Sequence, residues 1–370
     1  MEQLNYTIPC LFGVESVVGN QLKRLNMNNI SVENGRVQFS GNIRDMARAN
    51  LWLRSGERVL IKLGEFPARS FTELFDNVIS LPWEAFIPKD GEFPVKGHAL
   101  HSQLHSVPDC QSIIKKAVVE RLKRHYHLSW LEETGSKYQI QFSIMKDIAT
   151  LYLDTSGAGL HKRGYRAISG GAPLRETLAA AMVELTHYRG REVFCDPFCG
   201  SGTILIEAAM IAQNRAPGLY RHFAAEKWNL LPSQAWKELR TEAKEKMFDR
   251  PFVLRGGDTD SSVLDIARSN ALKAGVAQYI KFEKANACTF TPPAESGIIL
   301  TNPPYGERLL DQQAAQELYR GFGKVMRNYP QWKSYVITSE PEFERFYGKR
   351  ATKRRKLYNG MIKCELFMYN

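Results

Sequence analysis

The 370-residue sequence contains no apolar run near the ~18 residues that a membrane-spanning helix needs. Its first residues, Met1 to Tyr6, have neither the basic n-region nor the apolar h-region of a secretory leader. Cysteine is sparse. Cys10, Cys110, Cys195, Cys199, Cys288 and Cys364 are scattered, with no C-x-x-C pair. That spacing excludes a zinc ribbon and argues against a disulfide scaffold in so long a chain. His98, His101 and His105 stand close together, but no acidic or cysteine partner lies at a familiar metal-ligand spacing. No Gly-Lys-Ser/Thr follows a glycine-rich turn, so a phosphate-binding P-loop is absent. No internal repeat is visible. These absences predict a cytoplasmic, reduced protein that binds no metal.

What is present is an ordinary globular composition, 44% hydrophobic and 24% charged, with a formal net charge of +11. A basic balance favours an anionic partner, nucleic acid being the commonest, although many basic proteins bind none. The length predicts two or three domains.

Residues 1–65 read as a ferredoxin-like βαββαβ unit. Tyr6 to Cys10 is a short strand, Val14 to Leu25 has helical apolar spacing, and Asn34-Gly35 marks a hairpin. A helix over 42–53 and a strand over 58–63 complete it. Residues 66–157 form a second α+β unit, with helices over 71–79 and 112–125 and strands over 93–96, 138–142 and 148–153. The turn-rich Asp154 to Gly159 marks its end. Residues 158–370 alternate strands and helices, the pattern of a mostly parallel α/β sheet, and finish on an antiparallel hairpin around Asn359-Gly360. Residues 213–250 interrupt this pattern with a helical insertion. Its Trp228 and Trp236 belong to the core or to a lid, the core being favoured.

Four segments carry chemistry. Asp196-Pro197-Phe198-Cys199-Gly200-Ser201-Gly202-Thr203 follows a strand and opens a helix. Its glycines allow a sharp turn and close backbone approach, and the helix start offers free N–H groups to an anion. Gly256-Gly257-Asp258-Thr259-Asp260 comes about 60 residues later, at the end of a second strand. A carboxylate at Asp258 can accept both hydroxyls of a ribose, whereas Asp260 either shares that task or caps the following helix. In Ala285-Asn286-Ala287-Cys288, Asn286 and the Ala287 amide can meet an adenine, or Asn286 is simply a polar loop residue. The fourth, Thr301-Asn302-Pro303-Pro304-Tyr305-Gly306, directly follows an apolar strand. Asn302 offers a side-chain acceptor, and the two prolines fix the backbone so that the Pro303 carbonyl can be a second. Two acceptors can hold both N–H bonds of an aromatic amine, and Tyr305 can stack on an extruded base.

These motifs, in this order, resemble the class I adenosylmethionine methyltransferases that modify exocyclic amines. His161-Lys162-Arg163-Gly164-Tyr165-Arg166 and Ala172-Pro173-Leu174-Arg175-Glu176-Thr177-Leu178-Ala179 narrow the resemblance to THUMP-domain RNA methyltransferases, those acting on guanine N2 of 23S ribosomal RNA in particular. Some of these are labelled N6-adenine DNA methylases. The resemblance covers nearly the whole chain. It implies ferredoxin-like, THUMP and Rossmann-like catalytic domains in that order, S-adenosylmethionine as cofactor, and RNA as partner. By the same resemblance the loop Asp196 to Thr203, Asp258 to Asp260, Asn286, Ala287 and Asn302 bind the cofactor. Asn302, Pro303, Pro304 and Tyr305 are catalytic. The family often has Asp where this chain has Asn286.

Lys115 and Lys116 lie on a basic helix, and Lys353, Arg354 and Arg355 lie in a run of six basic residues in eight. Either set contacts phosphates or forms a solvated face. Arg163 and Arg166, whose role the sequence leaves open, join them as candidate RNA contacts. The competing functions are guanine-N2 methylation of tRNA, N6-adenine methylation of DNA, and non-catalytic RNA binding.

Overall fold

The computed structural model describes residues 3–166, 174–304 and 312–370. The chain opens with β1 (Leu4–Pro9), α1 (Glu15–Arg24), β2 (Asn28–Glu33), β3 (Arg36–Gly41), α2 (Ile43–Trp52) and β4 (Leu60–Pro67). This is the expected βαββαβ order. Asn42 starts α2 with a capping box: its side chain accepts from the Asp45 N–H, and Asp45 accepts from the Asn42 N–H. There follow α3 (Phe71–Ser80), β5 (Val95–Leu100), α4 (Val107–Tyr126), β6 (Ile140–Met145) and β7 (Ile148–Asp154).

The two N-terminal units are not separate sheets. β4 pairs with β7 along its whole length, from Leu60 opposite Asp154 to Pro67 opposite Ile148. A single seven-stranded sheet results, in the order β2-β3-β1-β4-β7-β6-β5. The turn-rich segment after β7 is no exposed linker either. Asp154, Thr155 and Ser156 are fully buried. Ser156 Oγ donates to Asn50 at 2.6 Å, Asn50 donates to Thr155 Oγ1 at 2.8 Å, and Arg58 pairs with Asp154. Buried polar groups need such partners, and here they weld the end of β7 to α2.

The C-terminal region comprises α5 (Glu176–Leu185), β8 (Phe194–Asp196), α6 (Thr203–Ala212), α7 (Ser233–Glu245), β9 (Leu254–Asp258), α8 (Ser261–Lys273), β10 (Ile280–Lys284), β11 (Gly297–Thr301), α9 (Gln312–Arg327), β12 (Trp332–Thr338), α10 (Phe343–Tyr347), β13 (Lys353–Asn359) and β14 (Ile362–Tyr369). Its sheet runs β10-β9-β8-β11-β12-β14-β13, with the first five strands parallel and β14 antiparallel to both of its neighbours. Alternate residues of the inner strands face opposite layers. Phe194, Ile298 and Leu300 join the core shared with the N-terminal sheet, while Cys195, Ile299 and Val336 pack with α9 and α10. Burial on both faces is what makes parallel strands read as continuous apolar runs.

The 213–250 insertion braces the two halves. Trp228 stacks on Tyr138 of the N-terminal sheet region at 4.7 Å and donates to the Lys137 carbonyl. Trp236 stacks on Phe223, and the Gly218 N–H donates to the Leu51 carbonyl. Both tryptophans are core residues.

Candidate active site

The carboxyl ends of β8, β9, β10 and β11 lie side by side, and the four motifs hydrogen-bond to one another there. The Gly200 N–H donates to Asp258 Oδ2 at 3.1 Å, and the Ala285 N–H to the Asp258 carbonyl at 3.0 Å. Thr301 Oγ1 donates to Asp196 Oδ1 at 2.6 Å. Segments up to 105 residues apart in sequence thus form one cluster.

The loop after β8 turns through Gly200 (φ +51°) and Gly202 (φ +80°), backbone conformations that favour glycine. A Cβ built on Gly200 would meet nothing within 4 Å, so the turn faces open space. Gly202 precedes α6 and provides no side-chain cap, leaving first-turn amides for an anionic group. Asp196 lies beneath the loop. It is buried, accepts from Thr301 and from the Phe198 N–H, and its carboxyl is pushed up to about 7, chiefly by burial. Its side chain therefore supports the loop from below. Pro197 is buried and Phe198 packs edge-on to Phe322. Cys199 is buried, which pushes its thiol well above the ordinary value and leaves it no nucleophilic character. Ser201 Oγ and Thr203 Oγ1 lie 3.3 Å apart.

Asp258 uses one oxygen on Gly200 and the other on the Asp260 N–H at 3.0 Å. Each carboxylate oxygen can accept a second bond, so a ribose can still be held. Thr259 is exposed on the same turn. Asp260 accepts from the Ser262 N–H at 2.8 Å and caps α8. Asn286 Oδ1 accepts from the Cys288 N–H at 2.9 Å, and Ala287 is buried.

At the end of β11, Asn302 Oδ1 is buried and accepts no hydrogen bond among the described residues. An unpaired buried carbonyl oxygen is costly and rare, and here it stands beside the open loop. Pro303 is buried. The Pro304 carbonyl accepts from Tyr319 Oη at 2.8 Å, which anchors the rigid turn to α9. Tyr305 lies outside the described residues.

All four arginines expected at RNA make contacts within the chain. The Arg163 side chain is only 2% exposed. It donates to Glu207, to the Leu160 carbonyl at 2.6 Å and to the Arg54 carbonyl, joining α6 to the N-terminal unit. Arg166 donates to Thr203 Oγ1 at 2.8 Å and to the Leu174 carbonyl, and pairs with Glu176. It supports the loop after β8. Arg355 donates to the Gly13 carbonyl at 2.6 Å and to Ser16 Oγ, docking β13 on the N-terminal unit. Arg354 is exposed but paired with Glu344 and Glu365. Lys115 pairs with Glu133 at 2.6 Å and covers the Phe93 ring. Lys116 and Lys353 are exposed. Burial cannot be read from sequence order, and Arg163 is buried whereas Arg355 is half-buried. Arg166, Thr301 and Tyr319 emerge as supports of the site. Arg166 and Thr301 stand in or beside segments the sequence singles out, whereas Tyr319 has no local signal. Among the described residues no group of three or more His, Cys, Asp or Glu side chains is arranged to hold a metal, and no helix is long and apolar enough to cross a membrane.

Comparison with known proteins agrees with this geometry. Residues 163–367 match the family described as "RMKL-like, methyltransferase domain", residues 5–60 the RlmL ferredoxin-like domain, and residues 68–154 the THUMP domain. The chain is 45% identical over 360 residues to "Putative RNA methyltransferase YpsC" of Bacillus subtilis (strain 168), covering 96% of this chain and 93% of that protein. It is 35% identical over 377 residues to the ribosomal RNA large subunit methyltransferase K/L of Psychromonas ingrahamii, covering 99% of this chain but spanning only half of that relative. The crystal structure of SMU.472, complexed with SAH, superposes with a TM-score of 0.95 at 40% identity, covering 100% of this chain and 98% of that one.

Proposed function

The chain belongs to the RMKL-like methyltransferase family, and from that premise we propose that it methylates the exocyclic N2 amine of a guanosine in RNA, with large-subunit ribosomal RNA as the substrate and the cytoplasm as its place of work. The single observation that carries this reading is Asn302 Oδ1, buried and unpaired at the carboxyl end of β11 within the cluster of loops.

The residues fit S-adenosylmethionine. The Gly200 turn faces open space, α6 begins with uncapped amides, and Asp258 retains acceptor capacity toward them. The loop amides from Gly200 to Thr203 would hold its carboxylate, Asp258 its ribose, and Asn286 with the Ala287 amide its adenine. When bound it supplies a methyl group activated by a sulfonium. The protein's own task is then to position the amine. Asn302 Oδ1 and the Pro303 carbonyl accept its two N–H bonds and steer the nitrogen lone pair toward the methyl. The amine proton passes to water after transfer, so no strong base is needed. Tyr305 stacks on the extruded base. The THUMP region selects the RNA, recognising structured RNA largely by shape, and this favours RNA over DNA as substrate.

The test is methyl transfer from labelled adenosylmethionine to undermodified ribosomal RNA, undermodified tRNA and unmethylated DNA, with the labelled nucleoside identified after digestion. N2-methylguanosine from ribosomal RNA is expected. The same product from tRNA would keep the chemistry and move the substrate, whereas N6-methyladenine from DNA would overturn the RNA assignment.

A further inference from the structure

At the far edge of the catalytic sheet, β13 and β14 form a hairpin whose tip carries Met361, 99% exposed. The register places that tip. Thr301 at the end of β11 lies beside Val336, Thr338 at the end of β12 lies opposite Glu365, and Asn359 lies opposite Ile362. The Gly360-Met361 turn therefore projects past the carboxyl end of β12, the end of the sheet on which Asn302 and the cofactor loop sit.

The N-terminal unit meets the hairpin at this same edge. Arg355 holds the Gly13 carbonyl, and a Cβ at Gly13 would lie 2.1 Å from the Lys356 carbonyl oxygen, so the two backbones touch. Beside that contact Phe12 is 56% exposed, and its ring lies edge-on to Tyr358 with centroids 6.1 Å apart. An aromatic pair and a fully exposed methionine thus share one rim. Most of the charge around them is basic. Lys356 and Lys363 are exposed, Lys363 directly opposite Tyr358, and Lys353 is exposed on the same strand. The nearest acids are occupied: Glu15 accepts from the Gly13 and Gly35 amides, and Glu365 pairs with Arg354.

Aromatic rings among exposed lysines suit one class of partner. Unpaired bases stack on rings while their phosphates meet the cations, and an apolar tip can wedge between bases. A protein partner of ordinary polarity would not call for so many exposed lysines around so small an apolar rim. We propose that Phe12, Tyr358 and Met361, flanked by Lys356 and Lys363, form a stacking platform for single-stranded nucleotides of the RNA next to the one being methylated. The platform rests on the reading of the protein as an RNA methyltransferase. It also makes the N-terminal unit part of the active-site rim, because Phe12 comes from the β1–α1 connection.

The test is binding of a labelled single-stranded RNA of about twelve nucleotides, within the span such surfaces cover, and of a duplex of equal length, by fluorescence anisotropy. The wild-type protein should prefer the single strand. Phe12→Ala and Met361→Ser should each weaken single-strand binding by about fivefold or more, the scale of one stacked base. Adenosylhomocysteine affinity and Tm should stay at wild-type values. Met361 makes too little contact for its replacement to unfold the chain. Wild-type binding in both variants, or no preference for the single strand, would overturn the platform. Platform-dependent binding without methyl transfer to any RNA would instead sink the methyltransferase reading and leave the platform standing.

Discussion

Two buried polar regions of this protein are built on opposite rules. In the seam between the N-terminal sheet and the catalytic domain, polar side chains meet one another. Asn50 bridges Thr155 and Ser156, and Arg163 spends its guanidinium on Glu207 and two carbonyls. At the mouth of the catalytic sheet, the supporting groups Asp196, Thr301 and Asp258 are paired, but Asn302 Oδ1 is left open. The first arrangement fixes a shape. The second holds an acceptor ready for something outside the chain.

The comparison can be broken most sharply at the seam. Arg163→Ala leaves Glu207 buried without its ion pair, and unfolding should cost about 3–5 kcal/mol less. Chemical denaturation measures this, and a loss below about 1 kcal/mol would show that the seam is not fixed by this pair. At the mouth, Asn302→Ala should reduce kcat by about 100-fold, as removal of a group acting on the reacting centre does. Tm and adenosylhomocysteine affinity should hardly change. If turnover survives intact, the open acceptor has another purpose.

Asp196 sharpens the contrast through pH. Its carboxyl sits at about 7 in the folded protein, above the ordinary value near 3.9. The folded state therefore keeps a proton that the unfolded chain releases. The stability it contributes is full below about pH 4 and is lost progressively as pH rises to about 7, by up to ~1.4 kcal/mol per pH unit. Asp196→Asn should flatten that part of the stability–pH curve, and an unchanged slope would refute it. The smallest effect is expected at the exposed Lys353. Lys353→Ala should leave stability within ~0.5 kcal/mol and lower the salt dependence of RNA binding by about one counterion. An unchanged salt slope would remove Lys353 from the RNA surface.

Local chemistry was the readable part of the sequence. A glycine turn between a strand and a helix, an acid at a strand end and an Asn-Pro-Pro step each declare themselves within a few residues. All three stand at the carboxyl ends of β8, β9 and β11. The ferredoxin-like order and the final hairpin were legible for the same reason, since Asn34-Gly35 and Asn359-Gly360 are turn signals. Partners distant in sequence were not legible. The pairing of β4 with β7 joins segments about eighty residues apart, and no alternation pattern encodes it. Asp154 to Gly159 reads as a boundary because turn residues suit loops, and the sequence does not tell that Asp154, Thr155 and Ser156 are buried against α2. The basic run 349–356 looked like one charged surface. Its second half is a strand, which sends Arg355 toward the N-terminal unit and leaves Lys356 exposed. Period-two alternation is hard to see when every residue is basic.

The β4–β7 pairing also sets an order of events at the ribosome. β4 ends at Pro67, and its partner is complete only at Asp154. At translation rates of about 5–20 residues per second, the outer edge of β4 waits roughly 4–17 s for its neighbour. During that interval a half-made sheet presents unpaired backbone groups to every other nascent chain nearby, a hazard that folded edge strands are shaped to avoid. The newly made protein is therefore most exposed to mispairing between the synthesis of its fourth and seventh strands, and a chaperone would matter most in that window.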